Sequence, residues 1–179
     1  MPDVAIRPSK IRIVLISEAA PPDPTDYYYA KGKPLFQETT VQAFRDAGAH
    51  VSSVRDILGR GVYLTTAVKC GKTAYGIKAA TIKECSQLLE NELAPFPNLV
   101  AMLLMGDVAI KALNYISVGA GEGKVIPTGS TYKIRKGRFF HRGIRVFPSY
   151  LQAGPSFFIE KSKRRMIAED IAAALELVG

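Results

Sequence analysis

Cysteine and histidine are scarce in this sequence: its 179 residues hold only Cys70, Cys85, His50 and His141. Two cysteines are too few for a disulfide framework or a four-thiolate metal site. The two histidines form no pair at ligand spacing, so no metal is expected and each reads as a lone surface residue. Long apolar runs are missing as well. No stretch approaches the roughly 18 uncharged residues of a membrane span. The N-terminus, with Asp3, Arg7 and Lys10, lacks the apolar core of a signal peptide. No membrane contact and a cytoplasmic location are therefore expected. Repeats and low-complexity tracts are absent.

Acids are missing from one region only. Residues 131–165 carry ten Lys or Arg against Glu160 alone, a net +9, while the rest of the chain carries 14 against 15. The overall +8 and pI near 9.5 therefore belong to one segment. Such a segment is either a solvated face or a set of phosphate contacts. Lys133, Arg135, Lys136, Arg138, Arg142, Lys163 and Arg164 are the candidates for the second role.

What is present is a core. A 47% hydrophobic content over 179 residues supports one globular domain. Elements alternate along it. The β-branched run at 11–17 reads as a buried strand, and 37–48 places Val41, Phe44 and Ala47 at helical spacing before Gly48. Residues 50–54 and 61–68 read as strands. Residues 80–93 form a helical stripe of Ile82, Cys85, Leu88, Leu89 and Leu93, ended by Pro95 and Pro97.

The nearly unbroken apolar run 98–105 suits a central parallel strand covered on both faces, leading directly into a helix over 106–116. After a Gly-rich loop at 119–123, Gly137 and Gly143 break short strands within 131–148, as in a hairpin. Residues 154–178 read as one closing helix, with Pro155 in its first turn and Ile159, Met166, Ile167, Ile171, Ala174, Leu175 and Val178 on the buried side. The pattern predicts an α/β fold: a three-layer α/β/α sandwich around a mainly parallel sheet. Ligands of such sheets sit outside the carboxyl ends of the strands.

Two fragments resemble phosphate-binding loops and fail. "KCGKT" (69–73) has Thr66 where the pattern needs its first glycine; "GAGEGK" (119–124) has Val118 there, and Val125 in place of the magnesium-binding hydroxyl. ATP and GTP are not expected ligands.

The loop after the first strand is the informative stretch. It brings Glu18, Asp23, Asp26 and the consecutive Tyr27, Tyr28 and Tyr29 to a strand end. Together with "GKPLF" (32–36), "VYLTTAVKC" (62–70), "LVAMLLMGDVAIKAL" (99–113) and "GIRVFPSYL" (143–151), the opening "LISEAAP" (15–21) resembles, in order, the motifs of the uracil-DNA glycosylase superfamily. The closest likeness is to its iron–sulfur bacterial and archaeal branch. The resemblance spans most of the chain and implies that superfamily's sandwich fold, with DNA as partner and a nucleotide extruded into a pocket.

Under that resemblance Glu18 matches the glutamate of the first motif and is the leading catalytic carboxylate. Breaking an N-glycosidic bond builds positive charge on the sugar, which a carboxylate stabilises or meets with an oriented water. Asp23 and Asp26 are second candidates. Ser17 and Ala19 flank Glu18 in the implied pocket. Leu35 stands in strict register with the base-stacking Phe, so stacking falls to Phe36 or to Tyr27, Tyr28 or Tyr29; base–aromatic contact is worth about 1–3 kcal/mol. A tyrosine cluster beside prolines is equally a loop packed on its own domain.

The chain also departs from the pattern. Thr66 stands where the superfamily has an asparagine that reads the uracil edge, and a hydroxyl cannot reproduce an amide's paired donor and acceptor. Phe147 or Leu151, depending on register, occupies the place of the last motif's histidine, leaving Ser149, Tyr150, Gln152 or backbone amides to meet the departing base. Cys70 and Cys85 match two cluster ligands, but the first 20 residues hold no cysteine, so no iron–sulfur cluster and no other cofactor is expected. The resemblance implies a hydrolase that removes a deaminated or damaged base. The rivals are a binding module of the same fold without catalysis, and a hydrolase of free nucleosides or nucleotides.

Overall fold

The computed structural model describes residues 5–23, 25–69 and 77–179. A short 3₁₀ turn, Pro8–Lys10, precedes strand β1, Ile13–Ala19. There follow helices α1 (Leu35–Asp46) and α2 (Val54–Gly59), strand β2 (Val62–Val68), helix α3 (Ala79–Leu93), strand β3 (Ala101–Met105) and helix α4 (Asp107–Gly119). The chain closes with α5 (Thr131–Ile134), the hairpin β4 (Phe139–His141) and β5 (Ile144–Ser149), then α6 (Ser156–Ile159) and α7 (Lys161–Glu176).

The five strands lie in the order β2-β1-β3-β5-β4, all parallel except β4. Strand alternation splits the core into two layers. Val14, Ile16, Met102 and Leu104 face α3 and α4; Ile13, Leu15, Leu103 and Met105 face α1, α2 and α7. The expected α/β/α sandwich is therefore the observed architecture, with β3 buried on both sides. The chain leaves β1 toward β2 at one edge and leaves β3 toward β5 on the other side. The carboxyl ends of β1 and β3 thus flank the point where strand order reverses, the position where open α/β sheets hold ligands.

Several expected elements differ. Residues 50–54 form no strand: Ser53 accepts a hydrogen bond from the Asp56 N–H, while the Asp56 carboxylate accepts from the backbone and hydroxyl of Ser52 at 2.9 Å. This reciprocal cap turns the chain into α2. Residues 131–134 are helical rather than extended.

The closing helix is broken at Glu160, whose ψ of 78° leaves the helical range. At 100° per residue, a continuous helix would carry Phe157 about 90° away from the face that buries Met166, Ile167 and Ile171; the break lets Phe157 enter the core and turns Ile159 outward. Leu88 likewise faces solvent, off the stripe that α3 buries. His141 lies in the core with 5% of its surface exposed, against the expected surface position.

The hairpin turn needs Arg142 and Gly143 both at positive φ, 50° and 79°. That pairing is the type I′ geometry whose twist matches its flanking strands.

Candidate active site at the carboxyl edge of the sheet

Ser17 and Glu18 end β1 with side chains on opposite faces, as strand geometry requires. Ser17 is fully buried. Its hydroxyl donates to the Thr65 carbonyl (3.3 Å) and accepts from the Tyr28 hydroxyl (2.7 Å). Tyr28 accepts in turn from Gln152 Nε2 at 2.6 Å, and the same nitrogen donates to Thr40 Oγ1 at 3.2 Å. One buried phenol thereby ties together β1, its loop, α1 and the segment after β5. Burial pushes the Tyr28 phenol well above its usual range, so it stays a neutral donor. With no exposed ring surface it is closed to an incoming base.

Glu18 is half-buried and lies against Gly106, the residue that opens α4. Gly106 donates its N–H to the Ser149 carbonyl at 3.0 Å, so the carboxyl ends of β1, β3 and β5 meet around this carboxylate. The positive end of the α4 dipole faces the same spot. Ala19, buried beside it, pairs with Val68.

The other loop carboxylates serve the loop itself. Asp23 is fully exposed and accepts from the Thr25 hydroxyl (2.6 Å) and N–H (2.8 Å), hydrogen bonds that lower its pKa. Asp26 accepts from the Phe36 N–H at 3.0 Å and caps the start of α1. Tyr29 bonds the backbone of Leu64 on the outer edge of β2, accepting from its N–H (3.0 Å) and donating to its C=O (2.9 Å). Of the other expected pocket residues, Tyr27, Leu35 and Phe36 are half-buried, with Phe36 edge-on to Tyr28 at 5.4 Å.

Thr66 is buried opposite Ser17, and its hydroxyl donates to the Val68 carbonyl at 3.0 Å. Ser149 is committed elsewhere: its hydroxyl donates to Asp170 at 2.5 Å. Tyr150 is half-buried, with the Lys163 ammonium 5.4 Å from its ring centre. Cys70 lies outside the described residues; Cys85 is a buried free thiol on α3.

Two features of the site have no local signal in the sequence. Gly106 does no more there than end an apolar strand. A polar cluster beside Thr66 joins residues far apart along the chain: the Glu92 carboxylate accepts from the Tyr63 (2.7 Å) and Thr65 (2.6 Å) hydroxyls and pairs with Lys69, which also donates to the Thr66 carbonyl. This cluster fixes the end of β2.

The basic segment divides in two. Arg135 forks onto the buried Asp170 at 3.0 and 3.2 Å and reaches Glu169 at 2.9 Å. Burial raises the Asp170 pKa, opposed by Arg135 and Ser149. Arg142 pairs with Glu122, Lys163 with Glu160 and Arg164 with Asp46. These four are engaged within the fold. Lys133, Lys136 and Arg138 are exposed around α5 and the start of β4; Lys136 lies 4.7 Å over the exposed Tyr132 ring, and Arg138 lies 5.9 Å from that of exposed Phe140.

A family model described as the uracil DNA glycosylase superfamily matches residues 5–171, nearly the whole chain. No curated protein matches it.

Proposed function

The chain belongs to the uracil DNA glycosylase superfamily, and from that premise we propose that it is a monofunctional DNA glycosylase that removes a deaminated or otherwise altered base. The reading rests on one observation: Glu18 lies at the strand-order reversal, against the N-terminus of α4.

In the proposed step the bond between sugar C1′ and the base nitrogen breaks and its electron pair leaves with the base. Glu18 faces the cation that develops on the sugar and orients a water. The water oxygen bonds to C1′, one of its protons passes to the departing base, and an abasic site remains. Tyr27 and Phe36 offer ring surface to the extruded base. Lys133, Lys136 and Arg138 hold phosphates, since they make no ion pair among the described residues.

A second reading, a binding module without catalysis, draws support from Ser149. Its hydroxyl is bound to Asp170, and Gln152 Nε2 is bound to Tyr28, so neither side-chain donor is turned to a leaving base. Tyr150 and backbone N–H groups remain for that role.

The deciding experiment incubates the protein with end-labelled oligonucleotides carrying uracil, hypoxanthine, xanthine or no lesion, single- and double-stranded, and cleaves abasic sites with alkali. Lesion-dependent cleavage that Glu18→Gln abolishes supports the enzyme. Intact strands throughout, with salt-sensitive binding, support the module.

A further inference from the structure

The sheet has a second built concavity, at the opposite end from Glu18. A cavity of about 720 Å³ is bordered by the turn before β1, the start of β2 and helix α2, and Arg7, Lys10, Arg55 and Arg60 line it with no carboxylate among the described residues. Strand β1 separates it from Glu18 by about 20 Å, from the 3.3 Å rise per residue of a strand.

Three observations mark it as more than a solvated face. First, its frame is fixed. The Gly61 carbonyl accepts from the N–H groups of Arg12 (2.8 Å) and Ile13 (3.0 Å), and a β-carbon at Gly61 would stand 2.6 Å from the Lys10 carbonyl. The turn carrying Arg7 and Lys10 is thus clamped on the residue that opens β2.

Second, no carboxylate among the described residues compensates the cations. No ion pair among the described residues involves Arg7, Lys10, Arg55 or Arg60; Arg60 makes one 3.3 Å hydrogen bond, to the His50 carbonyl. Asp56, their neighbour on α2, is held by the backbone and hydroxyl of Ser52. Four like charges around one hollow raise the local positive potential, which draws an anion to it.

Third, the lining selects the ligand. Three guanidinium forks and one ammonium suit phosphate oxygens, bidentate at each Arg. No aromatic side chain among the described residues lines the cavity, so none of them would stack a base in it. Its volume falls in the range of about 300–1,000 Å³ typical of small-molecule sites.

We propose that this cavity is a binding site for a compact anion with two or more linked phosphates, separate from the site at the carboxyl edge and independent of the glycosylase reading. Linked phosphates occur both in a free oligophosphate and in a nucleic-acid backbone; the lack of a lining aromatic among the described residues favours the free anion.

The test is calorimetric titration of the full chain with tripolyphosphate, orthophosphate and a 12-nucleotide single strand, comparing wild type with Lys10→Ala/Arg55→Ala. Both substituted side chains are exposed, and an unchanged melting curve without ligand checks that the variant folds. The site predicts saturable tripolyphosphate binding, tighter than orthophosphate and weakened at least tenfold in the double variant. Arg55→Lys, which keeps the charge and gives up the fork, falls between. Absent or non-saturable tripolyphosphate binding, or binding equal in wild type and double variant, overturns the proposal. So does a weakening confined to the oligonucleotide, which would make this face a nucleic-acid contact instead.

Discussion

A β-carbon at residue 106 would stand 2.5 Å from Glu18 Oε1 and 2.9 Å from its Cγ, so Glu18 occupies space that exists only because residue 106 is glycine. The Gly106 backbone, at φ 105° and ψ 165°, lies in a region that other residues essentially do not enter. Gly106→Ala is therefore expected to lower stability by about 1–3 kcal/mol and to displace Glu18. Thermal melts with single-turnover cleavage check both, and a drop in rate in protein still folded at the assay temperature marks the displaced carboxylate.

Glu18→Gln keeps the shape and removes the charge. Turnover on the lesion substrate should fall about one-hundred- to ten-thousand-fold, while the dissociation constant for the same DNA, measured by anisotropy, stays within a few-fold. Equal rates in both proteins would remove Glu18 from the chemistry.

The division of the basic segment is testable by salt dependence. Removing one cation that neutralises a phosphate should reduce the slope of log K against log salt by about 0.9 on duplex DNA. Substituting Lys133, Lys136 and Arg138 by Ala should flatten that slope stepwise, whereas Arg142→Ala and Arg164→Ala should leave it unchanged.

Arg135 should announce itself as a stability residue. Arg135→Ala strands the buried Asp170 carboxylate without its partner, destabilising the fold by about 3–5 kcal/mol. Denaturant unfolding reads it, and a variant of wild-type stability with weakened DNA binding would return Arg135 to the phosphate-binding set.

Burial, and then the Arg142 charge, hold the His141 pKa below its ordinary 6.5. As pH falls below 6.5 the unfolded chain therefore takes up a proton that the folded chain resists. The contribution of His141 is complete above that pH and is lost as pH falls toward the folded-state value. Melting temperature should drop across this window, and His141→Phe, beside Phe96 and Leu113 in the same apolar hollow, should lessen the drop.

The sheet is legible in residue order because its strands are continuous apolar runs: β1, β2 and β3 bury almost every side chain. Reading 50–54 as a strand gives weight to Val51 and Val54 and passes over Ser53-x-x-Asp56, a helix-start signal in plain view. The place of Glu18 near the carboxyl end of β1 is legible in the same run. The duties of its neighbours are not. Tyr28 finds Gln152 across 124 residues, Arg135 finds Asp170 across 35 and Ser149 finds Asp170 across 21. No local spacing encodes such partners, so a phenol, a guanidinium and a hydroxyl that look free for a ligand in the sequence are taken by the fold.

Tyr29 has a consequence of another kind. β2 is an outer strand of the sheet, and the Tyr29 hydroxyl occupies both the outward N–H and the outward C=O of Leu64. One side chain thus saturates the rung at which a strand from a second molecule would begin to pair. The tyrosine run that looks, in sequence, like a surface for stacking bases thus caps one rung of this border, and Phe at position 29 would leave the outward N–H and C=O of Leu64 to solvent or to an incoming strand.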